Sequence, residues 1–190
     1  MSPHKRLKLG QQPNARATGV IYLLYFLTAV LAQLLVNWKL VVFGDVVNTI
    51  AYGLYVVLTL LFYLLFKPVS RWLSLLAALI GIAGSILGLL DLFHLNPQNI
   101  SPLLFFAPYC LLIGALIVGS TFLPRILGWL MILAGLGWLA FLFPRVESHL
   151  SIPIEAVGIL AEASLMFWLL VKGVNVPRWM EQAGTALGGG

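Results

Sequence analysis

The stretch PLLFFAPYCLLIGALIVGSTFLPRILGWLMILAGLGWLAFLF, Pro102 to Phe143, decides the fold. It runs for 42 residues and carries a single charged side chain, Arg125. As one helix it would be about 63 Å long, twice the ~30 Å hydrocarbon core of a bilayer. The segment Ser120-Thr121-Phe122-Leu123-Pro124-Arg125 resolves the mismatch. Pro124 can open a new helix, where its missing N–H is harmless, and Arg125 places the turn in water. The stretch therefore reads as two membrane spans, 102–123 and 124–143.

The same pattern continues on both sides. Apolar runs occupy 17–36, 46–66, 72–93 and 152–171, each 20 to 22 residues long. A helix of ~20 residues crosses the hydrocarbon core. Barrel strands are excluded, because they would alternate apolar and polar residues in pieces of about ten. The expected fold is all-α: a polytopic transmembrane bundle of six helices over 17–173, with a basic tail at 1–16 and a C-terminal tail at 174–190. The first run follows Lys5, Arg6, Lys8 and Arg16, as a signal peptide would. It is too long for an ordinary signal core and has a poor cleavage site near Ala32, so it reads as an uncleaved first helix.

Composition agrees. Of 190 residues, 61% are hydrophobic and 9% charged, against roughly 25% charged in a soluble domain. Mean hydropathy is +1.02. The surface must therefore face lipid, and the bilayer is the first expected partner. The net charge of +5 does not point to nucleic acid, because the basic residues are dispersed between apolar runs rather than gathered on one face. The lone cysteine, Cys110, cannot form an intrachain disulfide.

Lys and Arg set the orientation. With the N-terminus inside, the inner segments hold Lys5, Arg6, Lys8, Arg16, Lys67, Arg71, Arg125, Lys172 and Arg178, nine in all. The outer loops hold two, Lys39 and Arg145. Both termini are thus expected in the cytoplasm. The turns after the second, fourth and sixth helices each hold a proline and an arginine, which fits ordinary cytoplasmic turns better than an ancient duplication.

A few polar residues stand out against this background. Ala77, Gly81, Gly84, Gly88 and Asp91 repeat at intervals of 4, 3, 4 and 3 in the third helix. That spacing defines one seam, where small residues let helix backbones approach closely in lipid. Asp91 on this seam is expected to face protein. Glu155 and Glu162 are seven residues apart in the sixth helix, so they share a face about 10 Å apart along the axis. Glu162 falls near mid-membrane, where a charged carboxylate costs a few kcal/mol. Two readings follow: a proton or cation relay, or a neutral acid hydrogen-bonded to another helix through a hydroxyl or Gln33. Asp91, His94 and His149 could meet at the outer edge as weak metal candidates, with Glu147 and Glu155 nearby. No paired-Cys, HExxH or CxxCH pattern supports a metal or haem there. Trp38, Trp72, Trp129 and Trp179 lie near run ends, as interfacial belt residues do. With no phosphate-binding loop and no catalytic triad order, neither a cofactor nor a catalytic residue is expected.

Three stretches resemble a known family: KLVVFGD (Lys39–Asp45), CLLIGALIVGSTFLPRILGWLMILAGLGWL (Cys110–Leu139) and GILAEASLMFWLLVKGVN (Gly158–Asn175). They are similar to bacterial membrane proteins grouped as domain of unknown function 4386. The resemblance implies six helices in the bacterial inner membrane, no assigned activity, and an acidic side chain at Glu162. The chain departs from that pattern in the shortness of His94–Pro108 and in Tyr109, where histidine is frequent. The leading expectation is a non-enzymatic accessory or assembly component that meets a protein partner or a second copy through glycine-rich helix faces. The alternatives are a small proton- or cation-coupled carrier using Glu162, and a membrane enzyme with an outer-face Asp/His site.

Overall fold

A computed structural model describes residues 14–96, 100–142 and 144–188, with side chains for all but 144–149 and 187–188. Among the described residues seven helices are formed: α1 (Ala15–Asn37), α2 (Val41–Phe66), α3 (Arg71–Leu92), α4 (Leu103–Gly119), α5 (Arg125–Ala140), α6 (Pro144–Val171) and α7 (Val176–Gly188). There is no strand among the described residues. α1, α2, α3 and the Leu150–Val171 part of α6 are long and apolar enough to cross a membrane. Large apolar side chains such as Leu27, Val42, Leu64 and Leu79 are more than half exposed, which suits a lipid surface and not water. The chain is an all-helical, membrane-embedded protein.

Helix ends follow local chemistry. Asn14 starts α1, its side chain accepting from the Ala17 N–H at 3.2 Å, and Ser70 does the same for Leu73 of α3 at 3.4 Å. The 42-residue run breaks where Pro124 requires, but earlier than its apolar pattern indicates. α4 stops at Gly119, not Leu123, and residues 120–124 form the turn. The residue before a proline is driven out of the helical region, and the Ser120 hydroxyl holds the end by donating to the Ile117 carbonyl at 2.8 Å. α4 and α5 have 17 and 16 residues, so they are about 26 and 24 Å long.

The α1–α2 turn explains KLVVFGD. Lys39 adopts φ +65°, and the Leu40 N–H donates to the Leu35 carbonyl at 2.9 Å, which closes α1 in a left-handed cap. α2 then begins at Val41, five residues before the 46–66 run. A Cβ on Gly44 would lie 2.6 Å from Val36, so only glycine lets α2 leave so close to α1. α3 ends by the same device. His94 has φ +56°, with the Leu95 N–H on the Leu90 carbonyl at 2.7 Å. His94 is the capping residue of this turn. His94→Gly should therefore leave thermal stability in detergent unchanged or raise it by up to ~1 kcal/mol, by removing the left-handed strain of a side chain. A clear fall in the melting midpoint would show instead that the imidazole holds the loop.

Each helix from α1 to α6 packs on its sequence neighbours, and α6 returns to α1. The glycine seam of α3 faces its two neighbours. A Cβ on Gly81 would meet Thr59 of α2 and Tyr109 of α4 within 3.0 Å, Gly84 lies against Phe105, and Gly88 lies under the Tyr52 ring. Ala77 on the same seam is buried. Asp91 departs from the expectation drawn from this seam, because it is exposed. It sits in the last turn of α3, beyond the packed part of the seam, and accepts from Asn96 Nδ2 at 3.2 Å.

One end of the bundle collects the start of α1, the α2–α3 and α4–α5 turns, and α7. Trp179 of α7 is buried, and its indole N–H donates to the Leu65 carbonyl at 2.9 Å. The Asn175 N–H donates to the Phe122 carbonyl at 3.2 Å, and the Thr121 N–H donates to Gln182 at 3.1 Å. The segment from Asn175, read from sequence as a tail, is thus a helix docked on this end. Gly173, at φ +67°, turns the chain, and the Asn175 side chain caps α7 by accepting from the Arg178 N–H at 3.2 Å. Trp179 is consequently an internal anchor, whereas Trp38, Trp72 and Trp129 are 66%, 78% and 58% exposed.

Candidate functional site

α1 and α6 meet at very short range. A Cβ on Gly19 would lie 2.7 Å from the Leu170 backbone nitrogen, so the absence of a side chain there sets the distance between the two helices. Tyr22 lies one turn further along α1, and Glu162 lies on the α6 face that also buries Leu165 and Leu169. The Tyr22 hydroxyl donates to Glu162 Oε2 at 3.4 Å. Tyr22 is 4% exposed and Glu162 9%. The bond is longer than the usual ~2.5–3.0 Å for O–H···O, so it orients the two groups more than it grips them.

The surroundings are aromatic. The Tyr22 ring meets Phe62 edge-on at 5.8 Å, and Phe62 stacks on Phe66 at 5.8 Å. In the other direction Tyr22 is followed by Tyr25 at 6.3 Å, Tyr55 at 5.1 Å and Tyr109 at 5.5 Å. The Thr59 hydroxyl donates to the Tyr109 hydroxyl at 3.5 Å, and Cys110 is buried beside it. Four helices therefore bring phenols, a threonine, a thiol and one carboxyl group into the centre. Such a group can exchange hydrogen bonds and protons. In this low-dielectric setting each unpaired polar atom is costly.

The structure separates the other polar candidates from this group. Glu155, on the same stripe of α6, is exposed two turns away. Gln33 is exposed on α1, eleven residues past Tyr22, so the partner of Glu162 is the hydroxyl and not the amide. Asp91 is engaged by Asn96, which also donates to the Ile100 carbonyl at 3.0 Å and orders the loop. His94 is exposed at its cap, and the side chains of Glu147 and His149 lie outside the described residues. Among the described residues no three His, Cys, Asp or Glu side chains gather closely enough to hold a metal. The sequence reading did not name Tyr22, Tyr25, Tyr55 or Tyr109 as site residues. The available signal was position: these tyrosines fall inside apolar runs, away from the membrane interface where tyrosine is ordinarily enriched.

The fold and its buried acid define a polytopic helical membrane protein with a polar centre shared by its first and last long helices. Residues 89–173 match the model of the family described as Domain of unknown function (DUF4386). The matched stretch runs from the end of α3 past the end of α6 and includes Glu162, Cys110–Leu139 and nearly all of Gly158–Asn175. The resemblance read from those two motifs is borne out there, and Lys39–Asp45 lies outside the match. No curated protein and no solved structure matches the chain.

Proposed function

We propose that the chain is a six-span protein of the bacterial inner membrane, with both termini cytoplasmic, acting as a non-enzymatic accessory or assembly component. α4 and α5 serve as the two short spans. The observation that carries the reading is the Tyr22–Glu162 bond, which uses the one deeply buried carboxyl among the described residues to join the first span to the last. The positive-inside bias supports the orientation. Arg16, Lys67, Arg71, Arg125, Lys172 and Arg178 all belong to the end that carries α7.

The partner is a membrane protein, or a second copy, docking through small residues. Most spanning glycines are already engaged within the chain, but a Cβ on Gly53 would meet nothing within 4 Å. Gly53 lies among Ile50, Val57 and Leu60, which are 53%, 44% and 46% exposed. Extraction in mild detergent should give a complex larger than the monomer, and Gly53→Leu should dissociate it without unfolding the chain. Recovery of the wild type as a stable monomer would refute the role.

A carrier is the second reading, favoured by the run of tyrosines that leads away from Glu162. Under that reading Glu162→Gln abolishes proton-coupled uptake in proteoliposomes; under the accessory reading proteoliposomes show no uptake that depends on Glu162.

A further inference from the structure

An open cleft of about 500 Å³ lies between the α4–α5 turn and α7, lined by Ser120, Thr121, Leu123, Arg125, Arg178 and Glu181. Two separate segments supply its arginines. Arg125 is the first residue of α5. Arg178 reaches the turn from α7, where its Nη1 donates to the Thr121 carbonyl at 3.5 Å. That bond is longer than an ordinary hydrogen bond, so the guanidinium keeps most of its donor capacity. Glu181 lies in the same lining and pairs with neither arginine. Two guanidiniums against one carboxylate make the cleft a site for an anion. α5 also starts here without a side-chain cap, and the positive end of its dipole adds to that preference.

The surface that runs on from the cleft selects a lipid over a soluble anion. Arg125, Trp129, Leu133 and Leu136 follow one another on α5 at intervals of 4, 4 and 3, so they share one face. Trp129, Leu133 and Leu136 are 58%, 53% and 53% exposed. Arg125 therefore heads an exposed apolar stripe, with Trp129 one turn below it at the level an interfacial ring occupies. An acyl chain lies along such a stripe, and its phosphate then falls at the arginines. The planar guanidinium fork matches phosphate oxygens in geometry as well as charge.

We infer that this cleft binds the phosphate of an anionic glycerophospholipid between Arg125 and Arg178, with an acyl chain along the α5 stripe and Glu181 accepting from a headgroup hydroxyl. The site goes beyond the accessory role. It depends neither on Glu162 nor on which side of the membrane this end faces.

The test is native mass spectrometry of the full chain in neutral detergent, titrated with phosphatidylglycerol, phosphatidylcholine or inorganic phosphate. Phosphatidylglycerol should be retained saturably at one site and more tightly than phosphatidylcholine. Arg125→Gln and Arg178→Gln should each weaken it roughly fivefold, the effect of one basic residue beside an anionic head. Arg71→Gln removes the same charge at the same end but outside the cleft, and should leave the affinity unchanged. Absence of saturable phosphatidylglycerol binding overturns the inference. So does equal retention of phosphatidylcholine, or an equal loss in Arg71→Gln, which would make the attraction general to this end. Displacement of the lipid by an equal concentration of inorganic phosphate would give the cleft to a free phosphate instead. Arg125 makes none of the hydrogen bonds that dock α7. Its variant, with an unchanged melting midpoint in the absence of lipid, therefore decides the matter even if Arg178→Gln loosens that helix.

Discussion

Gly128→Leu should cost about 3 kcal/mol or more, or prevent the protein from accumulating in the membrane at all. The expectation rests on a very close backbone approach in the bundle. A Cβ on Gly128 would lie 2.7 Å from the Gly114 carbonyl oxygen and 2.8 Å from the Val118 nitrogen, and a Cβ on Gly114 would lie 2.8 Å from the Gly128 carbonyl oxygen. The contact is reciprocal and made of backbone on both sides. No side chain can rotate away, so α4 and α5 would have to separate by most of an ångström to restore ordinary contact at ~3.5 Å. Overpacking usually costs ~1–3 kcal/mol, and a clash with rigid backbone belongs at the upper end. Gly184→Leu, in α7, is the control. It adds the same side chain where no atom lies within 4 Å, and should change stability by less than ~0.5 kcal/mol. Denaturation of both variants in mixed micelles measures the difference. Equal stability of the two would mean that α4 and α5 are not joined as described.

The second large effect concerns Tyr22 and Glu162 taken together. Glu162→Leu removes the carboxyl and leaves the Tyr22 hydroxyl buried without its partner. Tyr22→Phe does the converse. Each single change should cost roughly 1–3 kcal/mol, because an orphaned buried polar group loses its compensation. The double variant, apolar on both sides, should fall well short of the sum and lie within about 1 kcal/mol of the wild type. The bond itself is long, and hydrogen bonds between membrane helices average only ~0.6 kcal/mol, so the orphaned group dominates the energetics. A double variant as unstable as the sum of the singles would remove the idea that the pair closes the bundle. If the double variant is stable yet loses a transport activity present in the wild type, the carrier reading takes precedence.

Several features were legible because they depend on neighbours in the chain. The break in Pro102–Phe143 follows from the backbone restrictions of Pro124 and the charge of Arg125. The burial of Ala77, Gly81 and Gly88 follows from the helical period of their spacing. Glu162 stood out because a carboxyl at that depth needs a reason. Other features were not legible. Asp91 has the right period but lies past the end of its packing partners. The helix at Val176–Gly188 is short and two-faced and forms no continuous apolar run, and its docking depends on the Leu65 and Gly119 carbonyls at helix ends and the Phe122 carbonyl in the α4–α5 turn. The tyrosine that meets Glu162 is 140 residues away in sequence.

By itself, the sequence determined that this is a helical membrane protein, that its longest apolar run breaks before Pro124, and which acid lies deep within it. These follow from hydropathy, proline geometry and helical period, all properties of short stretches. Only the tertiary structure decided that α6 closes on α1, that Tyr22 and not Gln33 meets Glu162, and that the Tyr55 hydroxyl is buried without a partner. Side-chain distances across a bundle depend on how closely backbones approach, and here Gly19, Gly114 and Gly128 set that approach by what they lack.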